Sequence, residues 1–130
     1  MEIEEIRNRL LNDFDSLITE YEANIIVKGR LEEKELDLKN KSLFFEYEAN
    51  IVVNNEVDEN GKKIHTNEKM REIASQKILN ANTEYVELKK EIIEVSKNIY
   101  SIKQKLDVLN FKLKCMKSQS DLISSLNRNI

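Results

Sequence analysis

The sequence predicts an all-α protein, an elongated antiparallel helical hairpin whose C-terminal half is one long coiled-coil helix. Between Ile78 and Ile123, residues that alternate at spacings of three and four are apolar except for Ser120. They form a seam that keeps one side of a helix against a partner helix. The chain has no proline, and no glycine follows Gly61. Charged residues make up 35% and aromatic residues 6%, a balance that suits an extended helical protein better than a thick core. Residues 1–130 are therefore predicted to form a single domain.

The first predicted helix covers residues 2–53. Apolar side chains recur at helical spacing from Ile3 to Ile25, and acidic residues in the first turn suit the positive end of the helix dipole. Gly29 follows a β-branched run and costs roughly 1 kcal/mol relative to alanine inside a helix, which favours a kink near residue 29 over a full break. Between Leu43 and Tyr47 apolar residues lie on more than one side of the helix. Such a surplus apolar face is typical of contact with another helix or another subunit.

Turn-forming residues predict a loop over residues 54–66. Asn60-Gly61 is the strongest turn pair, and the flanking Val57 and Ile64 leave a small β-hairpin open, although a plain loop fits the pattern better. Thr66 or Asn67 is expected to cap the next helix by accepting a hydrogen bond from a free N–H of its first turn.

A long helix is predicted over residues 67–127, with a length of about 90 Å at about 1.5 Å per residue. A second apolar stripe, formed by Val86, Ile93 and Tyr100, runs beside its seam at intervals of seven residues. A two-stranded seam needs only two apolar heptad positions, so the wider face implies a third helix or self-association. We expect homo-oligomers that associate through the seam residues Ile92, Ile99, Leu106, Leu109, Leu113 and Met116.

The net charge of −3 conceals a strong asymmetry between the two halves. Residues 1–60 carry 16 acidic and 7 basic side chains, a net charge of −9, whereas residues 61–130 carry 8 acidic and 14 basic side chains, a net charge of +6. Between Lys97 and Lys117 six lysines face only one acid, Asp107. The halves attract each other when they fold back in antiparallel fashion, and the basic end that stays uncovered attracts a polyanion.

No enzyme motif accompanies this architecture. The sequence has no glycine-rich phosphate loop, no Ser-His-Asp order and no Cys-x-x-Cys pair, so we expect a protein without catalytic activity or cofactor. The acidic run from Glu32 to Asp37 lacks the Glu-x-x-His motif of metal-binding bundles, and a solvated acidic face explains it better than a metal site. His65 is expected to be a solvated loop residue, and Cys115 a small semi-buried residue rather than a reactive thiol.

The sequence also carries expectations about location. Its first ten residues lack the basic and apolar regions of a signal peptide, and no apolar run approaches the roughly 18 residues of a membrane span. A single cysteine cannot form an internal disulfide and is compatible with a reducing compartment. We therefore expect a cytoplasmic protein without a membrane partner, acting inside a bacterial host.

Lysines are the only candidate ligand-binding residues. The C-terminal set comprises Lys103, Lys105, Lys112, Lys114 and Lys117, and it flanks the seam. Two interpretations stay open with about equal weight: these lysines bind a phosphate backbone, or they form the solvated edge of a coiled coil. A second basic cluster, Lys39 and Lys41 with Arg30 and Lys34, lies among acidic residues. Self-association would multiply either set and turn weak contacts into useful affinity.

The chain also resembles a known family over most of its length. The resemblance is carried by Tyr21-Glu22-Ala23, by the basic segment Leu38-Lys39-Asn40-Lys41, and by the aromatic residues Phe44, Phe45 and Tyr47 that follow it. A polar loop with a glycine and a long helix with a lysine-rich end come next. In these features the sequence resembles the UvsY-like recombination mediators, small helical proteins of phage recombination modules.

This resemblance implies a function and partners. Proteins of that family form rings, load a recombinase onto single-stranded DNA and displace the single-strand-binding protein. The resemblance maps Lys39 and Lys41 onto the basic pair that contributes to DNA binding in the family. The sequence thus predicts a non-enzymatic phage or prophage accessory protein that binds single-stranded DNA and assists recombination or replication. The alternatives are a coiled-coil interaction module, such as an adaptor or a counter-defence inhibitor, and an oligomeric binder of small nucleotides.

Overall fold

Three helices account for most of the chain. The computed structural model describes residues 2–128, with side chains from 2 to 126. Helix α1 covers Ile3–Asn55, α2 covers Glu68–Ala81 and α3 covers Thr83–Arg128. The all-α prediction is confirmed, and so is the long C-terminal helix.

Helix α1 runs without interruption through Gly29, so the glycine does not break it. A Cβ atom built on Gly29 meets nothing within 4 Å, which shows that the position faces open space. The kink expected there stays a prediction. A seven-residue motif of this helix, residues 20–26, recurs with one change at residues 46–52. The two copies bury different positions, because Asn24 is buried in the first copy, whereas Ala49, one position earlier in the motif, is buried in the second.

The segment between α1 and α2 folds as a tight turn with a single antiparallel bridge between Val57 and Lys63. Asp58 organises it, because its Oδ1 accepts hydrogen bonds from the backbone N–H groups of Asn60 and Lys62, each at 2.9 Å. Gly61 adopts a φ of 77°, a left-handed conformation that glycine tolerates best. The structure therefore has the beginning of a hairpin where the sequence favoured a plain loop.

Asn67 rather than Thr66 caps α2, because its side chain accepts a 2.8 Å hydrogen bond from the backbone N–H of Met70. The single helix predicted over residues 67–127 is wrong in one place, Asn82, which is extended with φ −88° and ψ 107°. The Asn82 side chain accepts a 3.3 Å hydrogen bond from the N–H of Tyr85, and its own N–H donates to the Leu79 carbonyl at 3.1 Å. Asn82 thus ends α2 and caps α3, a role for which asparagine is well suited.

The chain divides into two compact units. The terminal unit combines residues up to Leu31 with residues from Asn98 onward, and the central unit covers Glu32–Lys97. The prediction of one domain over residues 1–130 extends beyond the described residues at both ends and stays a prediction.

In the central unit, α1 packs antiparallel to α2 and α3. Cross-helix hydrogen bonds show this order, since Glu35 meets Ser96, Glu46 meets Tyr85, and Asn50 meets Ser75. An apolar cluster surrounds the middle of these contacts. Its members are Ala49, Leu79 and Tyr85, with Phe45 and Ile78 packed against them.

In the terminal unit, the first part of α1 packs against the last part of α3. Leu10 and Phe14 line a cleft of about 210 Å³ together with Met116 and Ile123. The seam residues Ile99 and Leu109 are buried, and Leu106, Leu113 and Met116 are half-buried. Ile92, in the central unit, is half-buried as well. The chain's own packing therefore already uses these residues, and their proposed role between subunits stays a prediction.

Substituting the two glycines separates their roles. Gly29→Ala should raise the free energy of unfolding by about 1 kcal/mol, because alanine is the better helix former and its methyl group meets no neighbour. Gly61→Ala should lower it by about 1 kcal/mol, because alanine is strained at positive φ. Urea titrations followed by circular dichroism measure both. A Gly29→Ala variant less stable than the wild type would show that α1 does not continue through residue 29.

Candidate nucleic-acid interface

The five C-terminal lysines lie together on α3 in the terminal unit, and all are exposed. At about 100° per residue, Lys105 and Lys112 share one flank of the helix, seven residues apart. Lys103 and Lys114, eleven residues apart, share the other flank with Lys117. The buried side between the flanks is marked by Leu109, which is 3% exposed. The lysines therefore border α3 on both sides rather than forming one stripe.

Aromatic side chains project between these flanks on the outward side of α3. Tyr100 is 63% exposed and Phe111 is 68% exposed, and their spacing of eleven residues places them on the same side. The Gln104 side chain donates a 3.1 Å hydrogen bond to the Tyr100 hydroxyl, which helps to orient that ring. Exposed rings next to cationic side chains are the combination that binds single-stranded nucleic acid, by stacking on bases and neutralising phosphates. We call Tyr100, Phe111 and the five lysines the lysine face.

None of the five lysines forms an ion pair with any residue in the described part of the chain. The central unit behaves differently: Lys34 pairs with Glu91 at 3.5 Å and Lys39 pairs with Glu35 at 3.4 Å. Asp107, four residues after Lys103 and four before Phe111, lies on the same side of α3 and offsets part of this charge. The lysine face still keeps an excess of positive charge that attracts an external polyanion.

Lys39 and Lys41, the pair indicated by the resemblance, belong to the central unit. Both are exposed, but the Lys39 ammonium is partly neutralised by Glu35. The structure thus places the two predicted lysine sets in different units. Of the aromatic residues that follow this pair, Phe44 and Tyr47 are exposed, whereas Phe45 packs edge-on against the Tyr85 ring, with 6.2 Å between the ring centres.

Two other singled-out residues differ from expectation. His65 is half-buried and its Nε2 lies 2.8 Å from a carboxylate oxygen of Glu56, so it helps to close the loop rather than being freely solvated. Cys115 is exposed rather than semi-buried, because it lies on the outward side of α3 while its neighbour Met116 faces the seam.

The central unit contains a set of polar contacts that the sequence pattern does not predict. The Tyr85 hydroxyl donates to Glu46 at 2.8 Å, Ser75 donates to the Asn50 side chain at 2.8 Å, and Ser96 donates to Glu35 at 2.7 Å. Tyr85 occupies a seam position and was therefore expected to pack as an apolar residue. The available signal was the pair of serines, Ser42 and Ser75, at buried positions of amphipathic helices.

The pKa of Tyr85 is raised above its ordinary value of 10.0, first by burial and then by the hydrogen bond to Glu46 and the negative charge of that carboxylate. A hydrogen bond with Ser42 acts in the opposite direction. The phenol therefore stays protonated over the physiological range and serves as a hydrogen-bond donor inside the helix packing.

Residues 2–128 show no group of three or more His, Cys, Asp or Glu side chains placed to hold a metal ion. None of the helices in that range is sufficiently long and apolar to span a bilayer. No family model, curated protein or solved structure matches this chain.

The Tyr85 hydrogen bond predicts a loss of stability at high pH. Because the pKa of Tyr85 is higher in the folded state, its contribution is complete below about pH 10 and disappears as the pH rises through the folded pKa. The free energy of unfolding in urea should therefore fall as the pH rises above about 10, and Tyr85→Phe should reduce that fall. At neutral pH Tyr85→Phe should cost about 1–2 kcal/mol, because the charged Glu46 loses its donor.

Tyr100→Phe is the matched control, since it removes an exposed hydroxyl from the same helix. It should leave the pH dependence unchanged. Equal slopes for the wild type and Tyr85→Phe would contradict the assignment.

Proposed function

We propose that this protein is a non-enzymatic binder of single-stranded DNA that assists recombination or replication as a phage or prophage accessory protein. The observation that carries the proposal is the lysine face, where five exposed lysines, none of them ion-paired with a described residue, border two exposed aromatic rings. Phosphates pair with the lysines, while unpaired bases stack on Phe111 and Tyr100. Duplex DNA keeps its bases stacked inside, so the rings favour the single strand.

The resemblance to UvsY-like recombination mediators also supports binding of single-stranded DNA. It adds a recombinase and a single-strand-binding protein as proposed partners, and the cytoplasm of a bacterial host as the proposed location. In this reading the protein acts by holding the strand, and no covalent chemistry takes place on it. Lys39 and Lys41 form the second proposed contact with DNA.

A second candidate function is a protein-interaction module, such as an adaptor or a counter-defence inhibitor. The observation in its favour is the amount of apolar surface that α1 presents outward, including Leu36, Leu43 and Tyr47, which are each at least 60% exposed. Large exposed apolar faces mark protein contacts more often than DNA contacts. An interaction module would capture its partner in fixed stoichiometry and show no affinity for DNA.

Salt dependence tests the proposed function most directly. Neutralising five phosphates of a single strand should make the binding constant fall by roughly 100-fold between 50 and 200 mM salt. Fluorescence anisotropy of labelled oligo-dT, beside a duplex of equal length, measures both the salt slope and the preference for the single strand. Absence of binding at 50 mM salt, where the attraction between lysines and phosphates is strongest, would contradict the proposal.

Lysine substitutions locate the site. Changing Lys103, Lys105, Lys112 and Lys114 to Gln should leave helicity intact, weaken binding by at least about tenfold and flatten the salt slope, because four phosphate contacts are lost. The control variant changes the same number of exposed lysines in the central unit, namely Lys62, Lys63, Lys69 and Lys77, and has the same net charge. An equal loss in both variants would indicate a nonspecific charge effect. A loss only in Lys39→Gln/Lys41→Gln would move the site to the central unit.

Phe111→Leu separates stacking from charge. Leucine keeps an apolar side chain at this position but cannot stack on a base, so affinity for oligo-dT should fall about tenfold with an unchanged salt slope. Ile93→Leu, at another exposed apolar position of α3, should leave DNA binding unchanged.

A further inference from the structure

Helix α1 carries a second apolar face in the central unit, on the side opposite its packing against α2 and α3. The buried side of α1 contains Leu38, Ser42, Ala49 and Val53. The opposite side presents Leu36, Leu43, Phe44, Tyr47 and Ile51, whose exposed fractions are 60, 61, 60, 64 and 42%. Spacings of seven and four residues keep these five side chains together on the helix surface. We call them the outer α1 face.

We propose that two copies of this chain associate through their outer α1 faces, with the two helices antiparallel. This inference goes beyond the proposed DNA-binding function and does not depend on it. The lysine face lies on α3 of the terminal unit and contributes no residue to the contact.

The area of the outer α1 face is sufficient for a dimer. At these exposures each of the five side chains offers roughly 100 Å². Each copy therefore supplies roughly 500 Å², and a symmetric pair buries about 1,000 Å², the size at which specific interfaces begin. The two aromatic rings, Phe44 and Tyr47, are the residue types that most often dominate the binding energy of such interfaces.

Charged residues border the face in an ordered way. Lys39 and Glu46 are seven residues apart and so occupy one border, while Lys41 and Glu48, also seven apart, occupy the other. On both borders the lysine precedes the middle of the face and the glutamate follows it. Within residues 39–48 each border thus changes from positive to negative across the middle of the face, while Asp37, four residues before Lys41, adds a negative charge at the outer end of the second border.

This charge order selects the antiparallel orientation. Two antiparallel helices related by a two-fold axis bring matching borders together, so Lys41 of one copy meets Glu48 of the other, and Lys39 meets Glu46. The same axis sets Leu36 of one copy level with Ile51 of the other, which matches apolar with apolar. In a parallel pair opposite borders meet, so that Lys39 would face Lys41 and Glu46 would face Glu48. Like charges disfavour that arrangement.

The two borders differ in whether their charged residues already have partners within the same chain. Lys39 already pairs with Glu35, and Glu46 already accepts the hydrogen bond of Tyr85. Lys41 and Glu48 are exposed and have no ion pair with the described residues of their own chain. The Lys41–Glu48 contact is therefore the better one to test by charge reversal.

The first test measures mass by sedimentation velocity over a range of concentrations. The wild type should form a dimer or an even-numbered assembly, and Leu43→Glu should halve that mass while circular dichroism stays unchanged. The control is Ile93→Glu, which places the same charge at an isoleucine that is 56% exposed on α3 of the same unit and should keep the wild-type mass. A wild type that stays monomeric up to millimolar concentration overturns the proposal. So does a Leu43→Glu variant with wild-type mass, or an Ile93→Glu variant that dissociates.

The second test determines the relative orientation of the two α1 helices. It substitutes only exposed charged residues, so the variants should fold like the wild type. Lys41→Glu and Glu48→Lys should each raise the dimer dissociation constant about tenfold, because two attractive contacts per dimer become repulsive. The double variant Lys41→Glu/Glu48→Lys restores opposite charges and should recover the wild-type constant within about twofold. Additive weakening in the double variant would show that these two positions do not face each other, and the antiparallel contact would be overturned.

Discussion

In the central unit, the hydrogen bond from Tyr85 to Glu46 specifies the axial register of α1 against α3. The apolar seam cannot do this by itself, because its spacing repeats every seven residues and a slip of one heptad again sets apolar against apolar. A slip would, however, separate the Tyr85 hydroxyl from Glu46 and Ser75 from Asn50. Buried polar groups that lose their partners cost more than a displaced methyl group, so the polar contacts specify one register while the apolar contacts supply most of the stability.

Within each unit the apolar packing decides which side of a helix faces outward, and the outward sides carry the proposed functions. A helix that packs on one neighbour covers only one of its sides. The apolar residues on the other side of α1, Leu43 and Tyr47 among them, therefore stay exposed. On α3 of the terminal unit, packing through Leu109 leaves Phe111 outward between lysines. Both surfaces follow from the same physical limit, namely that this chain has more apolar helix surface than its own helices bury.

The seam from Ile78 to Ile123 predicted the helices and their buried side, because hydrophobic periodicity reports directly on which side of a helix packs. It did not predict the interruption at Asn82. The apolar spacing continues across that residue, so only the capping tendency of asparagine marked the boundary, and the seam offered no reason to prefer it. Periodicity was similarly silent about Tyr85, since a tyrosine at a seam position looks apolar until its hydroxyl has a partner on another helix.

The sequence predicted which lysines form the candidate site, but not which of them are ion-paired. A run of lysines facing one acid is visible in the sequence, but whether each ammonium is offset by a carboxylate depends on tertiary packing. The structure distinguishes Lys39, which is paired with Glu35, from Lys112 and Lys114, which have no such partner among the described residues. Similarly, the surplus apolar residues between Leu43 and Tyr47 were evident as a pattern. Their separation into Phe45 inside and Phe44 outside required the helix orientation.

The two proposals place competing demands on Lys41. The resemblance to recombination mediators assigns it to DNA, whereas the antiparallel contact assigns it to Glu48 of a second copy. A carboxylate within reach largely cancels the charge that a phosphate would otherwise meet, so one lysine cannot fully serve both partners. The lysine face is free of this conflict, because its charges lie on α3 and stay outside the proposed dimer contact. A dimer built on α1 then carries two lysine faces, and a strand long enough to reach both gains affinity because modest contacts on each act together.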